Sequence, residues 1–313
     1  MRVPENTAKT VAFIAEHSGA DAADAYDLHG TGFFVSLPSQ VHPGFRYHYF
    51  VTAKHVAEAL MERPISFLVN SNDGGLTFLE PLCSVDKKTG KTRFRWYMHP
   101  SDKCVAVAVV PFDQPEGNVG DPDITSIPAE SFIKREDIDG DRIGLGDEVF
   151  MPGLFHLTQG GGKRNVPIIR QGTLAIVPDD PVYLEVGRDK GFCEAYLIEA
   201  RSIGGLSGSP VIVRRTKSIV CEADGTSEKV HGVGALPYFM GLAHGHWDVK
   251  ESQLNSQTII PDSQRGVNLG IAIVVPAHKV LEVINHPDLV AMRERAEERL
   301  SKMIAPTPDG GGL

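Results

Sequence analysis

A chain of 313 residues is longer than the usual single domain. With 42% hydrophobic, 23% charged and 7% aromatic residues, it has the composition of an ordinary soluble globular protein, not of a disordered or collagen-like one. The formal net charge of -9 counts against nucleic acid or an anionic membrane surface as the main partner, because such binders cluster positive charge.

The opening residues, MRVPENTAKTVAFIAEHSGADAADAYDLHG, contain no apolar core of signal-peptide length. The longest apolar run, LGIAIVVPAHKV, is broken by a proline, so no bilayer-spanning helix is expected. Cys83, Cys104, Cys193 and Cys221 are scattered without metal-ligand spacing and read as free thiols of a reducing compartment. Cytoplasmic location is the resulting expectation.

Residues 5–25 have a helix-compatible composition, and 1–27 are set apart as an N-terminal extension. Short apolar runs then follow one another: GTGFFVSL, YHYFVTAKHV, PISFLV, CVAVAVVPF, GDEVFMPG, VPIIRQGTLAIV, AYLIEA, PVIV, YFMGLAHG and NLGIAIVV. Gly, Pro, Asn and Asp clusters separate them, a rhythm that predicts an all-β sandwich or barrel over a parallel α/β sheet. Residues 56–62 read as one or two helical turns after a strand. From 276 to 303, Val280, Leu281, Val283, Ile284, Leu289, Val290 and Met292 precede the charged run RERAEERLSK, which predicts a C-terminal helix with a solvated face. The last residues, APTPDGGGL, read as a flexible end. The polar, Pro- and Asp-rich stretch 115–141 supplies the junction, dividing the chain into 28–125, 126–275 and a tail over 276–313.

Two motifs carry chemistry. In RSIGGLSGSPVIV, Gly205, Ser207, Gly208 and Pro210 form a G-x-S-G-x-P pattern that runs straight into an apolar strand. Glycines on both sides of a serine let the backbone turn tightly, expose the hydroxyl and direct neighbouring N–H groups into one cavity. A glycine-rich turn with a surface serine is the bland alternative, so a second motif is needed. It lies upstream in YHYFVTAKHVAEAL, where an apolar strand ends in Thr52, Ala53, Lys54 and His55. A serine nucleophile requires a neighbouring base, and imidazole has the proton affinity for that task near neutrality.

The GTGFFV, TAKH and GLSGSP segments, with His before Ser, resemble the chymotrypsin (trypsin-like) serine peptidase family, in particular bacterial members without a zymogen N-terminus. The resemblance covers 30–284 and includes IIRQGTLAIVP, GLAHG and NLGIAIVVPAHKVLEVI. It implies two packed six-stranded antiparallel β-barrels with the catalytic groups between them, and a protein or peptide as substrate. By the same resemblance His55 comes from the first barrel as general base and Ser207 from the second as nucleophile. The Gly205 and Ser207 N–H groups would form the oxyanion hole. Ala243, His244 and Gly245 would pair with a substrate backbone and line the primary specificity pocket, and Arg201 would fall near its floor. A cationic floor disfavours Lys or Arg in the substrate.

One expected part is missing. Between the two motifs the family places an aspartate at the start of an apolar strand, and aligning VAVV of CVAVAVVPF with that strand puts Ala106 there. Asp102, four residues upstream, would be more than about 10 Å away along an extended strand. Two explanations stand open: a substitution that disarms the enzyme, or a natural homologue that works as a His-Ser dyad or no longer works.

Other chemistry is weaker. His244 and His246, with His231 upstream, lack an acidic or cysteine partner at ligand spacing, so neither a metal nor a cofactor is expected. The GGGKR run at 160–164 lacks the Gly-Lys-Ser/Thr ending and following helix of a phosphate loop. The leading expectation is a serine endopeptidase, impaired as written. The alternative is a catalytically dead domain that binds a peptide as a regulatory module, and a protease gated by a partner protein stands third.

Overall fold

The computed structural model describes residues 3, 5–17, 26–61, 63–85, 92–114, 118, 120–139, 143–153, 164–179, 181–186, 189–200, 205–214, 218–221, 228–231, 238–250 and 266–304. The first half contains β1 (Val11–His17), β2 (Tyr26–Pro38), β3 (Arg46–Ala53), α1 (Lys54–Ala59), β4 (Ile65–Asn70) and β5 (Leu76–Leu79). It continues with β6 (Cys83–Val85), β7 (Thr92–Phe94), β8 (Tyr97–Met98), β9 (Val107–Phe112), β10 (Ile127–Pro128) and α2 (Arg135–Asp139). The second half contains β11 (Glu148–Gly153), β12 (Ile168–Ile176), β13 (Val182–Val186), β14 (Asp189–Cys193), β15 (Tyr196–Glu199) and β16 (Pro210–Arg214). After these come β17 (Ser218–Cys221), β18 (Glu228–His231), β19 (Tyr238–Lys250), β20 (Gly266–Pro276), α3 (Ala277–Ile284) and α4 (Pro287–Ile304).

The all-β expectation holds. In the second half β11, β12, β15, β20, β19 and β16 close into a six-stranded antiparallel barrel. The first half is an eight-stranded sheet in the order β5-β4-β1-β2-β3-β9-β8, with β10 added alongside β2 in parallel. Among the described residues its two ends, β5 and β8, do not pair with each other. The central strands read as continuous apolar runs because both of their faces are covered; β9 buries every residue from Val107 to Val110.

The helical reading of 5–25 is overturned over 5–17, and 18–25 lie outside the described residues. Residues Glu5–Thr10 form a 3₁₀ turn, and Val11–His17 is a strand set between β2 and β4, with Val11 opposite Phe33 and Phe13 opposite Leu68. Val11, Ala12, Phe13, Ile14 and Ala15 are all buried, so this run has no polar face of the kind an amphipathic helix needs. The segment set apart as an extension therefore contributes a central strand to the first sheet. The C-terminal helix is present but divided: α3 ends at Ile284 and α4 starts at Pro287. Proline lacks the N–H that would continue the first helix, yet suits the first position of the second. Arg293 ties the break to β3, donating to the Ile284 carbonyl at 2.9 Å, to Asn285 Oδ1 at 2.8 Å and to the Tyr49 hydroxyl at 2.7 Å.

The two halves share one hydrophobic core. Phe239 of β19 packs against Phe33 of β2 with ring centroids 5.2 Å apart, and against Phe132 of the connecting segment at 4.6 Å. Aromatic pairs of this kind contribute about 0.5–1.5 kcal/mol each beyond their burial. The seam between sheet and barrel is thus well packed, and both motifs lie along it.

Candidate active site

His55 is the second residue of α1, which begins directly where β3 ends. The helix follows the strand without a side-chain cap and is anchored by Val56, Ala57 and Leu60 in the core. Ser207 lies in the turn before β16, where the Ser209 N–H donates to the Leu206 carbonyl at 3.0 Å. Gly205 and Gly208 hold positive φ angles of 96° and 88°, a region L side chains rarely enter.

The serine turn is held from both sides. From the barrel, the Gly208 N–H donates to the Ala243 carbonyl at 2.9 Å, and the Ala243 N–H donates to the Ser209 carbonyl at 2.9 Å. From the sheet, the Thr31 hydroxyl donates to the Gly205 carbonyl at 2.7 Å, and the Thr31 N–H to the Ser207 carbonyl at 3.4 Å. The Thr52 hydroxyl, three residues before His55, donates to the Thr31 carbonyl at 2.7 Å. Gly30 completes the junction: a Cβ there would lie 3.1 Å from Val56 Cγ1 and 3.7 Å from the Ser207 carbonyl oxygen. The residue after His55 and the carbonyl of Ser207 therefore rest on the same glycine.

A Cβ at Gly208 would collide with the Thr31 carbonyl oxygen and the Thr52 hydroxyl. Gly208→Ala is accordingly expected to lower stability by at least about 1–2 kcal/mol from the left-handed backbone alone, with the collision adding to it. Urea denaturation checks this; an unchanged midpoint would mean that the turn is built differently.

His55 and Ser207 each sit half-buried at this seam. Among the described residues, neither the Gly205 nor the Ser207 N–H is donated to a protein acceptor. Ala106 is buried, and its carbonyl accepts the Lys54 N–H at 3.0 Å, so position 106 lies beside the first turn of α1 and offers only a methyl group. Asp102 does not replace it: its Oδ1 accepts the Cys104 N–H at 2.9 Å and closes its own turn.

The side chain that does reach His55 is His244, on β19. The two rings meet edge to face with centroids 5.2 Å apart, and His244 is buried. It stands at an irregularity in the β19–β20 register, between Ala243 and Gly245. Burial, with a smaller contribution from His244, pushes the His55 imidazole down to about 4. The ring is neutral at pH 7, able to accept a proton but with reduced affinity for one.

The structure thus brings His55, Ser207, Gly205, Ala106, Ala243 and His244 to one seam. Arg201 lies outside the described residues, as do Gly204 and most of the 160–164 run, and nothing is described of the side chain of His231. Among the described residues no group of three or more His, Cys, Asp or Glu is placed to hold a metal ion, and no helix is long and apolar enough to cross a membrane. Sequence reasoning missed the contact between His244 and His55, and missed the clamp made by Gly30 and Thr31. The signal for the clamp was present in GTGFFV, where small residues lead an apolar run; that for His244 was not, since a strand residue's neighbour across a seam has no local mark.

No family model matches the chain, and no curated protein matches it. Among solved structures it is similar to the MamO protease domain from Magnetospirillum magneticum in its apo form, at 13% identity over 88% of this chain and 96% of that one, with a TM-score of 0.47. It is similar to Deg5 at 12% identity, over 88% of each chain, with a TM-score of 0.45. It is also similar to the HtrA-type protease AlgW with decapeptide, at 14% identity over 90% of this chain and 66% of that one, with a TM-score of 0.45.

Proposed function

We propose that the chain is a trypsin-like serine endopeptidase domain in which His55 is the general base and Ser207 the nucleophile, weakened by the alanine at position 106. The observation that carries this reading is the convergence at Gly30, where the helix bearing His55 and the turn bearing Ser207 pack on one residue. In the proposed reaction His55 takes the proton of the Ser207 hydroxyl as it attacks a peptide carbonyl, and returns it to the departing amine. The Gly205 and Ser207 N–H groups, which have no acceptor among the described residues, receive the charge that develops on the carbonyl oxygen. Water then hydrolyses the acyl-enzyme.

The Ala243 N–H and carbonyl are engaged by the Ser207 turn, so in this reading a substrate backbone pairs with the following residues, His244 and Gly245. Arg201 stays the proposed floor of the primary pocket, and the substrate is a protein or peptide. The compartment proposed is the cytoplasm, with units over 28–125 and 126–275.

A second reading is favoured by the buried Ala106 and the low proton affinity of His55: a catalytically silent domain that holds a peptide strand in the same cleft. A fluorophosphonate probe separates the two. Covalent labelling that is abolished by Ser207→Ala and strongly slowed by His55→Ala is the expected result. Absence of labelling in the intact chain and in its Ala106→Asp variant would remove the peptidase reading and leave the binding one.

A further inference from the structure

Cys104 and Cys193 lie 89 residues apart in the chain, in different halves, and meet in space. Cys104 sits in the turn just before β9, two residues ahead of Ala106, while Cys193 closes β14 of the β13–β14 hairpin. The Cys104 thiol donates to the Phe192 carbonyl at 3.6 Å and the Cys193 thiol to the Gly191 carbonyl at 3.5 Å. A Cβ on Gly191 would lie 3.3 Å from Cys104 Sγ, so the absence of a side chain there lets the turn approach the hairpin. Both cysteines are unbridged. Cys193 is buried, whereas Cys104 is partly exposed. Neither has a part in the proposed catalysis.

We infer that this pair is a redox-modification site, at which a small disulfide donor such as glutathione disulfide converts the two thiols into a covalent bridge between the first sheet and the barrel half. The partly exposed Cys104 thiolate attacks one sulfur of the donor, breaking its S–S bond, releasing one glutathione as thiolate and leaving a mixed disulfide at Cys104. The Cys193 thiolate then attacks the Cys104 sulfur, expels the second glutathione, and forms the Cys104–Cys193 bond. Two protein thiols are oxidised and one donor disulfide is reduced to two thiols, so protons and electrons balance. Burial, with the neighbouring Cys104 thiol and Asp102 adding to it, pushes the Cys193 thiol up to about 12. The second step is therefore the slow one and accelerates as pH rises. Closing so long a loop restricts the unfolded chain and stiffens the strand that begins beside His55.

The test uses the full chain with Cys83→Ser and Cys221→Ser, so that only this pair can react. It is incubated natively with glutathione disulfide, alkylated, digested and analysed by mass spectrometry. The expected result is a linked peptide pair containing Cys104 and Cys193, with a mass loss of two hydrogens. Thermal unfolding should shift upward by about 5 °C or more, reverse with dithiothreitol, and not shift in a Cys193→Ser variant. Recovery of both cysteines alkylated, or of a glutathione adduct on Cys104 that never resolves even at alkaline pH, would overturn the inference. Neither readout depends on peptidase activity, so it stands or falls apart from that assignment.

Discussion

Ala106→Asp should raise turnover of peptide substrates by as much as about 10⁴-fold, the scale on which the third member of a Ser-His-Asp triad acts. Position 106 is 1% exposed and its backbone is hydrogen-bonded to Lys54, so a carboxylate introduced there is desolvated. A carboxylate in that setting is stable only if paired, and in the proposed site the partner is His55, one residue after the Lys54 N–H that the Ala106 carbonyl accepts. Pairing would fix the tautomer that leaves the other ring nitrogen free for Ser207, and would stabilise the imidazolium formed during attack. It would also raise the proton affinity of His55 from its present low value, bringing it nearer to the range in which a general base works at neutral pH. Steady-state assays on a peptide library, with histidine titration followed by NMR, check both effects. If the variant folds, stays inert and leaves the His55 titration unmoved, position 106 does not face the imidazole.

The second large effect concerns acid. His55 is held near 4 in the fold, against about 6.5 for an unfolded histidine, so the native state disfavours its protonation. Its contribution to stability is complete above about pH 6.5 and is lost as pH falls from there through about 4, because over that window the unfolded chain takes up the proton and the native one does not. The loss amounts to up to about 3 kcal/mol. His55→Gln removes the titrating group, so the variant's stability should fall less steeply between pH 6.5 and 4 than that of the parent chain. Urea denaturation of both proteins across this range isolates the difference from the carboxylates they share. Parallel pH profiles would mean that the imidazole is solvated.

Many of the strands could be placed along the chain from the sequence because their positions rest on local signals. The runs FFVSL, YFVTA and VAVVPF are apolar, β-branched and bounded by turn residues, and each becomes a strand of the first sheet. The segment VAFIA carries the same signal but sits among alanine, lysine and glutamate residues that favour helix, which makes its neighbourhood resemble one. Its strand state follows from the two strands that flank it in space, β2 and β4, and composition does not encode that pairing. The proline at 287 marked the break between the last two helices in advance, and the helical periodicity masked it. At the candidate site, His55 and Ser207 stand out in the sequence by residue type and motif, while position 106 is picked out only by the family resemblance. The contact of His244 with His55 and the hold of Thr31 on the serine turn were not, since both depend on how the sheet and the barrel meet.

That hold has a consequence for how the chain can change over generations. The turn bearing Ser207 takes its shape from Thr31 and Gly30, which lie far upstream. A substitution in either alters a contact with the opposite half, so exchanging one half alone with that of another chain is expected to loosen the serine turn. On that expectation GTG and GLSGS behave as one unit split across the gene.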